Sequence, residues 1–202
     1  MSQSVIIKRK SQKQSKPNFL SSLKLCSNGQ DLRKLVLSEL DGKTKVVDFI
    51  ERYISLNNEQ TFITSTSTNF NIDCIKKDFY NNIINLKKIN DFRFINKYFE
   101  SVNSKLPNSG MFFGCVETYP DRRKTILKKY PPVLNWIVYI NDTLFTRVLP
   151  KLKITKRIYF FITRGKSRVI SRAECYGRLY SCGFEIVDEK TINNMQYFIA
   201  KK

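Results

Sequence analysis

The sequence predicts an α/β fold: a mostly parallel sheet closed by a C-terminal antiparallel strand, with a basic helical insertion. Three observations carry this. Residues 82–118 read strand, helix, turn, strand, the spacing of a crossover between parallel neighbours. Residues 171–202 read helix, strand, hairpin-like turn, strand, the last expected to run antiparallel. Between these units, residues 122–178 hold fifteen Lys/Arg against two acids, Asp142 and Glu174. The same stretch contains two apolar, aromatic runs, PPVLNWIVYINDTLFTRVLP (131–150) and RIYFFITRG (157–165).

Residues 1–27 read as a basic arm, most clearly in KRKSQKQSKPN (8–18), and 28–202 as a single domain in which 119–170 is the insertion. GQDLRKLVLSEL (29–40) places Leu32, Leu35, Val36 and Leu40 at helical spacing. VVDFIERYISL (46–56) does the same with Val46, Phe49, Ile50, Tyr53 and Ile54, after a turn at DGK (41–43). TFITST (61–66) and NIINLKKI (82–89) are short β-rich runs. NDFRFINKYFESVNSKL (90–106) reads as a capped helix with Phe94, Ile95, Tyr98, Phe99 and Val102 on one face. PNSG (107–110) turns the chain into MFFGCVET (111–118), apolar enough to be buried on both faces. SRAECYGRLYSCG (171–183) is a helix opened by Ser171, with Glu174 three residues on, and ended by Gly183. FEIVDEK (184–190) and NMQYFIAKK (194–202) are strands flanking TINN.

Composition limits the chemistry. At 202 residues, 42% hydrophobic and 26% charged, the chain is globular. The net charge of +19 is uneven, because residues 119–202 hold eighteen of the thirty-six Lys/Arg but six of the seventeen acids. Such an excess suits anionic lipid, nucleic acid or a phosphorylated substrate. There is no histidine, which removes Ser-His-Asp and Cys-His catalysis, His-based metal sites and the usual neutral-pH base. The five cysteines form no CxxC pair, so neither a disulfide framework nor a metal site is expected. The N-terminal apolar run is too short for a signal peptide and no stretch reaches eighteen apolar residues. A cytoplasmic location without a membrane span is the expectation.

Two candidate sites lie in the basic belt. In 131–150, Val133, Trp136, Ile137, Ile140, Leu144 and Val148 form a helical stripe, and Trp136 and Tyr139 favour interfaces. With Lys128, Lys129, Arg147, Lys151 and Lys153 they make a candidate membrane contact, though the same stripe would also suit a helix packed on the sheet. In RGKSRVISRAE (164–174), Arg164, Lys166, Arg168 and Arg172 surround Ser171 at a helix start, a candidate anion or phosphate site. Ser171 could equally be a plain cap, with the arginines paired to Asp188 and Glu189. Glu117, Asp121, Arg122 and Arg123 follow the 111–118 strand, where α/β sheets place ligands, but no base accompanies them. Tyr159, Phe160 and Phe161 would suit nucleic acid, yet they fall in a run that reads as buried and no nucleic-acid motif is present. Nucleic acid is therefore the disfavoured partner.

The closing helix, strand, hairpin, strand series resembles the second half of class I methyltransferases, a Rossmann-like architecture. NIINLKKINDFRFINKYFESVNSKLPNSGMFFGCVET is similar to its fourth strand, following helix and fifth strand. That family holds S-adenosylmethionine with a glycine-rich turn after its first strand and an acid after its second. Here no two of the seven glycines lie within three residues of each other, so the turn is absent and the domain reads as a degenerate one that needs no cofactor. A longer resemblance runs through KYPPVLN, RVLPKLKITKRIYFFITRG, RVISRAE and GRLYSCGFEIVDE, which look like the N-terminal region of sugar transferases of Bacteroidetes-type bacteria. That resemblance implies exopolysaccharide or lipopolysaccharide synthesis. It also implies a polyprenyl-phosphate carrier, a partner catalytic sugar-transferase domain that would follow Lys202, and a place on the inner face of the bacterial inner membrane. The basic, aromatic motif opening that catalytic domain is absent, so no catalytic residue carries over. The expected role is an accessory, non-catalytic domain. An active methyltransferase or glycosyltransferase with an unusual site, and a nucleic-acid-binding module, are the alternatives.

Overall fold

The computed structural model describes residues 29–40, 43–149, 152–163 and 168–202. The basic arm therefore lies outside the described residues. Five strands form one sheet: β1 (Thr61–Thr64), β2 (Asn82–Lys88), β3 (Met111–Val116), β4 (Glu185–Ile192) and β5 (Met195–Lys201), in the spatial order β1-β2-β3-β5-β4. The pairs β1–β2 and β2–β3 are parallel, whereas β5 runs antiparallel to both β3 and β4. Four strands thus point one way and β5 alone opposes them. With β2 and β3 as fourth and fifth strands, β4 and β5 become sixth and seventh, the last slotted in antiparallel. This is a mixed α/β, Rossmann-like and methyltransferase-like sheet.

Helices cover both faces. α1 (Gly29–Glu39) and α2 (Thr44–Glu51) lie on one side, where Val36, Val47, Phe49 and Ile50 pack against Ile63, Ile84, Phe113 and Ile199. α3 (Phe70–Asp73), α4 (Ile95–Lys105) and α8 (Arg172–Ser181) cover the other, where Tyr98, Phe99, Cys175 and Leu179 meet Ile83, Phe112 and Phe198. Neighbouring residues of β2 and β3 alternate between these cores, as a strand buried on both faces requires. β3 carries Gly114 opposite Phe198, and a Cβ at Gly114 would lie 2.6 Å from Cζ of that ring. The glycine lets the phenyl group lie flat over the strand.

Local chemistry sets the ends of the C-terminal unit. Ser171 caps α8, its Oγ accepting from the Glu174 N–H at 3.0 Å. Gly183 ends α8 with φ +82°, and its N–H bonds Tyr180 while that of Phe184 bonds Leu179. This pairing needs a residue that tolerates positive φ. Asn193 and Asn194, with φ 50° and 57°, form the tight turn between β4 and β5. That geometry matches the right-handed twist of the flanking strands.

One local expectation fails. The helix expected over 90–106 starts at Ile95 and has no side-chain cap, and Phe94 is 63% exposed at its threshold. Residues Ile89–Asp91 form a separate 3-10 turn, in which Asn90 is buried. Asn90 cannot cap because its side chain is spent on long-range bonds: Nδ2 donates to the Glu117 and Arg168 carbonyls at 2.8 and 2.9 Å, and Oδ1 accepts from the Glu117 N–H at 2.7 Å. It thereby ties the ends of β2 and β3 to the chain entering α8.

Candidate functional site

The insertion grows from the carboxyl end of β3. α5 (Tyr119–Lys129) opens with Pro120 in its first turn and buries only Asp121 and Ile126. The Thr118 hydroxyl donates to Asp121 at 2.5 Å. From there an ionic chain runs outward. Lys88 pairs with Glu117 at 2.8 Å, and Arg122 lies 3.7 Å from the same carboxylate. Arg122 then grips Asp142 two-pronged, through Nε at 2.7 Å and Nη2 at 2.6 Å. The Asp142 bond outweighs burial and raises the Arg122 pKa, so this guanidinium stays charged. Glu117, Asp121 and Arg122 are thus committed to holding the insertion against the sheet edge.

Beyond this anchor the helices leave many of their described apolar side chains exposed. α6 (Leu134–Thr143) contains no buried residue, and a π-helical turn (Leu144–Val148) continues it. The predicted stripe is exposed along its whole length: Val133 77%, Trp136 51%, Ile137 52%, Ile140 61%, Leu144 47% and Val148 39%. In α7 (Lys153–Thr163) Tyr159 is buried, but Ile158, Phe161 and Ile162 are exposed by 60%, 86% and 71%. The expectation that the 157–165 run is buried is therefore corrected for its described side chains: Tyr159 is hidden, whereas Ile158, Phe161 and Ile162 are turned out. Twelve of the eighteen large hydrophobics exposed among the described residues fall between Val133 and Ile162.

Cations border this surface. The Arg123 guanidinium lies 5.7 Å from the Trp136 ring centroid and 5.5 Å from that of Tyr139, and the two rings meet edge-on. Lys128 and Lys129 are exposed, the latter 5.5 Å from the Tyr130 ring. Arg147 falls in the π-helical turn and Lys153 opens α7, but their side chains lie outside the described set, as does Lys151 altogether.

The predicted anion group separates. Arg164 and Lys166 lie outside the described residues. Arg172 pairs with Glu189 on β4 and lies over the Tyr176 ring. Ser171 serves α8 as its cap. Arg168 turns toward α4 instead, into a cavity shared with Arg93, Lys97 and Arg178. Sequence reasoning missed these three. Only the spacing of Arg93 and Lys97, four residues apart, placed any two of them together.

A second cavity, of about 310 Å³, lies at the carboxyl ends of β1 to β3, with Lys43, Lys87 and Asp91 in its wall. Cys115 also lines it, but burial pushes that thiol up to about 12. A protonated thiol is a poor nucleophile. No cluster of His, Cys, Asp or Glu suited to a metal occurs among the described residues.

No protein-family model matches the sequence, and no curated protein matches it. Solved structures with some likeness include a "possible exported protein" from Bordetella parapertussis, at TM-score 0.39 and 13% identity, covering 81% of this chain and 49% of that one. An O-methyltransferase family protein from Burkholderia thailandensis aligns at TM-score 0.38 and 12% identity, over 86% of this chain and 40% of that one. The chain thus spans half or less of either neighbour. At these values neither likeness bears on activity, and the fold assignment rests on the strand order above.

Proposed function

We propose that the chain is a non-catalytic docking module that lies on an anionic membrane surface, with α6, the π-helical turn and α7 as its contact. It would serve a bacterial sugar transferase of surface-polysaccharide synthesis at the inner face of the inner membrane. The observation that supports the docking role most is the concentration, among the described residues, of twelve of eighteen exposed large hydrophobics in thirty residues, bordered by Arg123, Lys128 and Lys129. Isolated exposed apolar side chains are ordinary, but a concentration of this kind marks an interaction surface.

Charge selects the occupant. A second copy of a chain carrying +19 would be repelled by the same cations that an anionic lipid surface would attract. α6 has ten residues, about 15 Å of helix at 1.5 Å per residue, so it fits flat in the headgroup layer. No helix among the described residues is long and apolar enough to cross a membrane. Each cation near an anionic leaflet adds about 1 kcal/mol. The pathway rests on the sugar-transferase resemblance of KYPPVLN, RVISRAE and their neighbours.

Co-sedimentation with vesicles tests the reading. Vesicles containing phosphatidylglycerol should carry the protein down at physiological salt, and pure phosphatidylcholine should carry far less. A Trp136→Ser/Arg147→Glu variant reverses one charge and removes the interfacial ring, so binding should weaken on the order of 30-fold. Absence of vesicle binding, or a variant that binds as well as the parent, would remove the membrane from the account and leave the face to a protein partner.

A further inference from the structure

We propose that the cavity between the start of α4 and the outer side of α8 binds a small phosphorylated ligand bearing a flat ring, of nucleotide size. The site is separate from the docking surface. Its volume is about 400 Å³, within the usual range for small-molecule pockets.

Two stretches of chain more than seventy residues apart, 93–97 and 168–178, bring four cations to it. Arg93 and Lys97 come from the entry and first turn of α4, Arg168 from the approach to α8, and Arg178 from within α8. The carboxylates nearby are fewer. Glu100 lines the cavity, and Glu174 is shared by two arginines, accepting from Arg168 Nη2 at 3.1 Å and from Arg178 Nη2 at 2.9 Å. Arg93 and Lys97 have no ion-pair partner among the described residues. Charge therefore remains in excess at the point where the two stretches meet.

Two of the guanidiniums are positioned before any ligand arrives, both by Glu174 and that of Arg178 also by Asn96, while Asn90 fixes the backbone of Arg168. Asn96 accepts from Arg178 Nη1 at 2.5 Å. Asn90 holds the Arg168 backbone at both its groups, accepting from the N–H at 3.1 Å and donating to the carbonyl at 2.9 Å. Preorganised arginines lose little freedom on binding, and their planar forks match phosphate oxygens. The first turn of α4 has neither an acid nor a capping side chain, so its amides add donors, though they would not make a site alone.

The flat ring follows from Phe94. It is 63% exposed, and the Arg93 guanidinium sits 5.1 Å from its centroid. An aromatic face beside a stacked arginine is a platform for a heterocycle. A phosphate on Arg168 and Lys97 would leave a base within reach of that platform.

Calorimetry on the full chain, with UDP, ADP and inorganic phosphate as probes, tests this. The nucleotides should bind saturably with Kd below about 1 mM and inorganic phosphate more weakly. Arg93→Gln/Lys97→Gln, which alters two side chains with no ion-pair partner among the described residues, should weaken both by about tenfold or more. Phe94→Ala should weaken the nucleotides and leave inorganic phosphate unchanged. Lys76→Gln/Lys77→Gln removes equal charge from the exposed stretch after α3, outside both surfaces, and should leave probe binding unchanged. Absence of saturation overturns the proposal, and so does an equal loss in the two double variants, which would mean that overall charge binds the probes. Nucleotide binding untouched by Phe94→Ala would overturn the ring platform. Vesicle binding should be unaffected by Arg93→Gln/Lys97→Gln, so this proposal and the membrane reading fail independently.

Discussion

Asn90→Ala should cost the fold about 3 kcal/mol without touching the apolar core. Asn90 is 1% exposed, and its side chain makes three bonds of 2.7 to 2.9 Å, two to Glu117 and one to Arg168. Each buried hydrogen bond contributes about 0.5–1.5 kcal/mol, and the stranded partner groups push the total toward the upper end. A loss of this size is a large fraction of the 5–15 kcal/mol typical of a whole domain. In urea, with a slope of about 2 kcal/mol/M, the midpoint should fall by about 1.5 M. Hydrogen exchange adds a local reading. The Glu117 amide loses its acceptor and should exchange faster, whereas the Arg168 amide keeps the Asn90 backbone carbonyl and should stay protected. A midpoint shift corresponding to less than about 1 kcal/mol would refute the claim that Asn90 fastens β2, β3 and the entry to α8.

Two further outcomes follow from the same packing. Gly114→Ala drives a methyl group toward the Phe198 ring, 2.6 Å from Cζ, and should destabilise by about 1–3 kcal/mol in the same urea assay; a stable Gly114→Ala protein would mean that the ring moves aside freely. Stability should also fall with alkalinity, because burial pushes the Cys115 and Cys175 thiols from 9.0 up to about 12. The unfolded chain releases these protons first, so the contribution is complete below pH 9 and is lost as pH rises from 9 toward 12. Each thiol removes on the order of 1 kcal/mol by pH 10, and Tyr98, raised by burial, adds to the slope above its ordinary range. A Cys115→Ala/Cys175→Ala protein should show a flatter profile, and an identical one would contradict the assignment.

The sheet was legible because its signals are local or periodic. The apolar run of β3, the Ser171 cap three residues before Glu174, the stop at Gly183 and the paired asparagines at 193–194 each act within a few residues. The misread elements depend on distant partners. Asn90 looks like a helix start in sequence, but Glu117 and Arg168 claim its side chain. α3 has four residues, too few to show a helical period. The aromatic run at 157–163 reads as core by composition, and only its placement shows that Phe161 faces outward. Sequence placed the basic belt and the stripe around Trp136. It could not reveal that Arg122 and Asp142 pin α6 to α5, or that Arg168 joins Arg93 and Lys97 across more than seventy residues.

Trp136 is the single tryptophan and is 51% exposed, so its emission reports directly on the proposed contact. Titration with anionic vesicles should shift that emission to shorter wavelength, and bromine atoms placed high in the acyl chains should quench it, because an interfacial helix sits at the boundary between headgroups and chains. Emission that neither shifts nor quenches while the protein is bound to vesicles, or no binding at all, would contradict the assignment of α6 and its flanking turns as the membrane-facing surface.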